Sequence, residues 1–159
     1  MGKKHNALFA AIFVAALSPS TLSARDGAVV LVNRENAVSV DEQEARRLLR
    51  RLYLKERTSW PSGERVVFFA RSPDNIAEQL FRETVLDMRT GALDDYWLRL
   101  KQTRGETPPR AVGSTRILLR QIDAKANAVG VVSLSEYEAL SQKYNNIRVL
   151  MTLDGENDD

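Results

Sequence analysis

Three times along this chain a short apolar run leads into residues that start helices. Residues 28–33 read AVVLVN and precede Ser39-Val40-Asp41-Glu42. Residues 66–70 read VVFFA and precede Arg71-Ser72-Pro73-Asp74-Asn75. Residues 128–132 read AVGVV and precede Ser133-Leu134-Ser135-Glu136. Short apolar runs rich in β-branched residues, with no polar alternation, read as strands buried on both faces. Strands alternating with helices imply an α/β fold, a mostly parallel sheet flanked by helices. Residues 147–150 close the series as a last strand.

The helices between these strands have their own signals. Ser39 to Glu42 and Ser133 to Glu136 both carry the Ser-x-x-Glu spacing of a capping box. After the first box, Ala45, Leu48, Leu49, Leu52 and Tyr53 fall on one helical face. After the second apolar run, Ala77, Leu80, Phe81, Val85 and Met88 keep helical spacing, and a shorter helix carries Leu93, Tyr96, Trp97 and Leu100. Pro108 and Pro109 keep RGETPPR irregular. Gly113-Ser114-Thr115 opens a further helix, with Ile117, Leu118 and Ile122 expected inward. Trp60-Pro61-Ser62-Gly63 is a turn over which Trp60 packs.

Not all of the 159 residues are expected in the fold. The chain opens MGKKHNALFAAIFVAALSPSTLSA: a basic start, an uncharged apolar run and a small-residue stretch. That layout predicts a secretory signal peptide over residues 1–24, cleaved after Ala24, with an uncleaved anchor as the alternative. The apolar run is about half the roughly 20 residues a membrane-spanning helix needs, and no later stretch is apolar enough to span. Residues 25–153 then form one domain, and the acidic residues 154–159 a disordered tail. The leader holds two lysines and no acid, so the remainder balances 21 basic against 21 acidic residues. Such a balance makes no case for nucleic acid as a partner. There is no cysteine, and the one histidine, His5, lies in the leader. Thiol chemistry, Ser-His-Asp catalysis and ordinary zinc sites are therefore excluded. No phosphate-binding glycine loop is present. The chain reads as a non-enzyme without metal or cofactor.

The helix starts carry the candidate chemistry, because free N–H groups and the helix dipole attract anions there. One start is Arg71-Ser72-Pro73-Asp74-Asn75, the other Gly113-Ser114-Thr115 with Arg104 and Arg110 upstream. Two readings stay open for each: an anion cradle, or residues that simply cap helices. At the first start Pro73 lacks an N–H and Asp74 brings a negative charge, so Ser72 reads as a cap, Pro73 as the helix opening and Asp74 as a dipole complement. Arg46, Arg47, Arg50 and Arg51 form either a solvated face or one for an acidic partner. Tyr96-Trp97 fits core filling better than ligand stacking.

Taken in order, VVLVNREN, RRLLRRLYLKERTSWPSGERV, VVFFARSPDNIAEQLFRETVL, DDYWLRL, RGETPPRAVGS and AVGVVSLSEY resemble the short relatives of the phosphate-binding protein of ABC transporters, in the type II periplasmic binding protein superfamily. The resemblance covers about residues 28–137 and rests on the ordered series. It implies a single lobe of that fold and a periplasmic, non-catalytic, solute-binding-like protein for phosphate or a related oxyanion. It implies Arg71, Ser72, Ser114 and Thr115 as donors to the anion, with Asp74-Asn75-Ile76 standing where full-length relatives carry Ser-Gly-Thr. One lobe offers half a cleft, so self-association or a second periplasmic protein is expected to complete it. The alternative is an interaction module that kept the lobe and lost the ligand.

Overall fold

The computed structural model describes residues 27–154, so the expected leader and residues 155–159 lie outside the described residues. In chain order come β1 (Ala28–Asn33), α1 (Glu42–Tyr53), β2 (Val67–Ala70), α2 (Ile76–Phe81), α3 (Thr90–Arg104), β3 (Arg110–Ala111), α4 (Thr115–Ala124), β4 (Ala128–Ser133), α5 (Leu134–Leu140) and β5 (Ile147–Leu153). The strands form one five-stranded sheet in the order β3-β2-β4-β1-β5. The α/β class expected from the alternation is what is found.

The sheet is mixed. β2 pairs in parallel with β3 and β4, whereas β1 runs antiparallel to both β4 and β5. Four strands thus share one direction and β1 alone runs against them, inside the sheet. Its alternate residues feed two cores. Ala28, Val30 and Val32 pack with Leu49, Leu52, Tyr53, Phe81 and Trp97 on the face covered by α1, α2 and α3. Val29 and Leu31 pack with Leu118, Leu119 and Ile122 on the face covered by α4 and α5. Period-two alternation with both faces covered explains why β1 is apolar at nearly every position.

Local chemistry sets the boundaries. Asp41, not Ser39, caps α1, and its carboxylate accepts from the Glu44 N–H at 2.8 Å. The first expected capping box is therefore not formed, whereas the second is: Ser133 and Glu136 satisfy one another at the start of α5. α2 runs on into a π-helical turn over Arg82–Leu86, which stops where Asp87 turns left-handed at φ 50°. Met88 falls beyond the helix for that reason, although it packs on the core. α3, expected to be the shorter helix, has 15 residues and ends at Gly105, whose φ of 69° suits glycine. Of the expected loop RGETPPR, Arg104 is the last residue of α3, residues 105–109 are irregular, and Arg110 begins the short edge strand β3. In α4, Ile117 points outward at 44% exposure and Leu119 takes the inward position beside Leu118 and Ile122. Trp60 is a core residue, and its indole N–H donates to the Asn127 carbonyl at 3.0 Å. Among the described residues no helix is long and apolar enough to cross a membrane.

Gly130 sits on β4 beneath α4. A Cβ there would lie 2.8 Å from Leu118 Cδ1 and 3.3 Å from Ile122 Cδ1, both in the closed core. Gly130→Val is expected to lower unfolding free energy by about 1–3 kcal/mol through overpacking. Chemical denaturation checks this, and an unchanged midpoint would contradict the packing described.

Candidate functional site

Because β2, β3 and β4 run the same way, the starts of α2, α4 and α5 lie at one end of the sheet. Arg71, the residue after β2, spans between them. It is only 4% exposed. Its Nη2 donates to Thr115 Oγ1 at 3.0 Å and to Glu136 Oε1 at 3.4 Å, and Thr115 donates to the same Glu136 oxygen. The other Glu136 oxygen accepts from the Ser133 N–H at 3.2 Å, the reciprocal half of the α5 capping box. One carboxylate therefore closes a helix start and holds a buried guanidinium. The Arg71 Nε and Nη1 are buried with no partner.

The four residues singled out from the sequence fall in different situations. Arg71 and Thr115 are in contact. Ser114 caps α4, its hydroxyl accepting from the Ile117 N–H at 3.4 Å. Ser72 is half-buried, and it does not cap α2. The Ser72 carbonyl instead accepts from the Asn75 N–H at 2.9 Å, which closes a turn with Pro73 in its second position. Asn75 is the cap, accepting from Ala77 and Glu78, and the helix opens at Ile76 rather than at Pro73. A side chain that caps its own helix competes for the N–H groups an anion would use.

Three further residues were not singled out as site residues from sequence. Glu78 is buried beside Arg71. One of its oxygens accepts from the Tyr53 hydroxyl at 2.7 Å and the other from the Arg71 backbone N–H at 2.8 Å. Burial pushes the Glu78 carboxyl above its ordinary 4.5, although the Arg71 N–H, the Tyr53 hydroxyl and the charges of Arg82 and Arg71 pull it back. Burial, with Glu78 adding to it, also holds the Tyr53 hydroxyl above its usual value. Arg82 stands one turn after Glu78 and is 8% exposed. Glu78 and Arg82 flank Phe81 and share the i, i+4 stripe that runs into Val85. An acid and a base at that spacing on a buried stripe is the signal that could have found them. Glu136 had a visible role as a capping residue, but nothing local to it announces Arg71.

Trp97 is core, as expected, with its ring 5.3 Å from Tyr96 and 6.4 Å from Tyr53. Its indole N–H is buried without a partner. Arg46 pairs with Glu42 at 3.2 Å on an exposed surface and donates to the Thr84 carbonyl. Among the described residues no group of three or more His, Cys, Asp or Glu could hold a metal ion.

The fold is similar to that of solved substrate-binding proteins of phosphate transport, matched over part of their length. Similar solved structures include an ABC-type phosphate transport receptor from Vibrio cholerae, at 16% identity, TM-score 0.50, covering 84% of this chain and 58% of that one. PstS from Borrelia burgdorferi is similar at 15% identity, TM-score 0.53, covering 77% and 46%. A protein from Clostridium perfringens, assigned to the phosphate ABC transporter substrate-binding proteins and solved with bound phosphate, matches at 14% identity, TM-score 0.52, covering 82% and 56%. The chain spans about half the length of these structures. No family model and no curated protein matches the sequence.

The Glu78 carboxyl gives a pH prediction. A carboxyl whose folded pKa lies above its unfolded value binds its proton more tightly when folded. Its contribution is fully present below 4.5 and is lost as pH rises through the window above that value. Glu78→Gln keeps the shape and removes the titration, so its stability should fall less steeply than that of the natural chain as pH rises toward neutrality. Urea midpoints across that range check it; parallel profiles for the two proteins would refute it.

Proposed function

We propose that this chain is an exported, non-catalytic, solute-binding-like protein that holds phosphate or a related oxyanion in association with transport. The observation that supports it best is Arg71. A guanidinium only 4% exposed, with Nε and Nη1 unpartnered, stands where three helix starts converge. A buried donor without an acceptor costs about 1–3 kcal/mol, more when charged, and an anion would remove that cost. The likeness in fold to structures named for phosphate transport supports the same class of ligand. In this reading Arg71, Ser72, Ser114 and Thr115 donate to the anion, and Glu136 is the internal carboxylate it would displace from Arg71 and Thr115. Residues 1–24 act as the export signal, residues 25–153 as the binding domain and residues 154–159 as its tail, with the protein residing in the periplasm. A second copy or another periplasmic protein completes the cleft.

The competing reading is an interaction module that has lost its ligand. It is favoured by the Glu136 carboxylate, which already occupies Arg71 Nη2 and Thr115. Phosphate decides between them. A ligand that binds only the folded state stabilises it by about 2.7 kcal/mol at roughly one hundred times its Kd. Millimolar phosphate is therefore expected to raise the Tm of the purified protein by several degrees, and Arg71→Ala to abolish the rise. No rise with phosphate or sulfate would reject the solute reading in favour of the interaction module.

A further inference from the structure

Among the described residues, the buried side-chain polar atoms left without a partner are four nitrogens: Arg71 Nε and Nη1, Arg82 Nε and Trp97 Nε1. All three residues line one cavity of about 170 Å³, bounded by α1, α2, α3 and the loop before β3. Buried polar groups in folded proteins are nearly always partnered. Four orphans gathered on one cavity, every one a donor, mean that this place is short of acceptors. The protein's own buried acid does not fill the gap. Both Glu78 oxygens also face the cavity's walls of Tyr53 and Arg71 and are engaged there, by the Tyr53 hydroxyl and the Arg71 backbone N–H. Glu83 approaches Arg82 only at 3.8 Å and through Nη2, from an exposed position.

The lining also selects the kind of acceptor. Two guanidinium groups share the lining with the buried Glu78 and the exposed Asp94, and neither carboxylate accepts from the four orphan nitrogens, so an acceptor suited to arginine is what the place lacks. Tyr53, Leu93, Trp97, Pro108 and Pro109 supply apolar walls, and the two prolines add no N–H. A carboxylate matches the planar fork of arginine and leaves its apolar body for the rings and prolines. A cavity of about 150 Å³ suffices for benzene. We propose that this cavity binds a small monocarboxylate with an apolar body of about that size, held by Arg71, Arg82 and the Trp97 indole N–H.

The proposal goes beyond the oxyanion reading. It shares Arg71 with it but rests on Arg82 and Trp97, which that reading does not use. The probe is benzoate, titrated calorimetrically into the purified protein, with benzyl alcohol as the uncharged counterpart and phosphate in parallel. Benzoate is expected to bind and benzyl alcohol to bind at least tenfold more weakly. Arg82→Met and Trp97→Phe, which keep most of the side-chain bulk, should each weaken benzoate at least tenfold. Any phosphate-induced rise in Tm should survive both changes. Absence of benzoate binding overturns the proposal, as does equal affinity for benzyl alcohol or an unchanged affinity in Trp97→Phe. Should Arg82→Met not fold, Trp97→Phe and the alcohol comparison still decide. A benzoate response without a phosphate response would remove the oxyanion reading and leave this one standing.

Discussion

Burying the Arg71 guanidinium is the constraint around which this end of the molecule is arranged. Taking such a charge out of water costs several kcal/mol even after relaxation. The chain offsets part of that with Thr115 and Glu136, which come from the first turns of two other helices. The contact works only if β2, β3 and β4 deliver their helices to the same side. The Arg71 backbone contributes as well, since its N–H is what Glu78 accepts in the interior. Arg71 thus ties β2 to α4 and α5 through its side chain and to α2 through its main chain. Leaving Nε and Nη1 without partners is a cost that no purely structural role requires.

The strand directions behind this arrangement were only partly legible. AVVLVN, VVFFA and AVGVV identify buried strands, and the capping signals behind them identify helices, so the layered α/β class follows. Nothing in those runs encodes the direction of β1. A strand buried on both faces is equally apolar whether its neighbours run with it or against it. Its place between β4 and β5 is decided by pairings such as Val30 with Val131 and Leu31 with Gly130, which join residues about a hundred positions apart. The edge strand β3 was hidden for a different reason. Two exposed residues after a Pro-Pro pair have no hydrophobic pattern to read.

Within the site, the residues legible in the sequence are those whose roles are local. Ser114 caps its own helix, and Ser133 with Glu136 forms the expected box. Arg71 and Thr115 were nominated on helix-start chemistry, and their contact depends on two parallel strands that the sequence does not pair explicitly. At ARSPDN, several residues could each cap, and local preference ranks Ser72 and Asn75 alike. The competition is settled by Pro73: placed in the turn, it moves the helix start to Ile76 and makes Asn75 the cap. Glu78 and Arg82 were obscured because charged residues on a helix are ordinarily solvated, and only Tyr53 from α1 and the Arg71 backbone make Glu78 an interior group.

Two sides of Arg71 therefore differ in how they are filled. Toward α4 and α5, a carboxylate of the chain itself accepts from Nη2 and from Thr115, so an external anion there competes with an internal one. Toward α1, α2 and α3, Glu78 is spent on Tyr53 and on a backbone N–H, and the cavity keeps donors without acceptors. The π-helical turn beginning at Arg82 belongs to the same imbalance. An extra residue in a helical turn weakens the regular hydrogen-bond ladder, and such turns occur often at functional sites. Here the turn starts at a buried arginine whose Nε has no partner, on the wall of that cavity. A buried arginine nitrogen left without an acceptor beside an irregular turn is hard to account for by packing alone, and the missing partner is supplied if the cavity holds an acceptor from outside the chain.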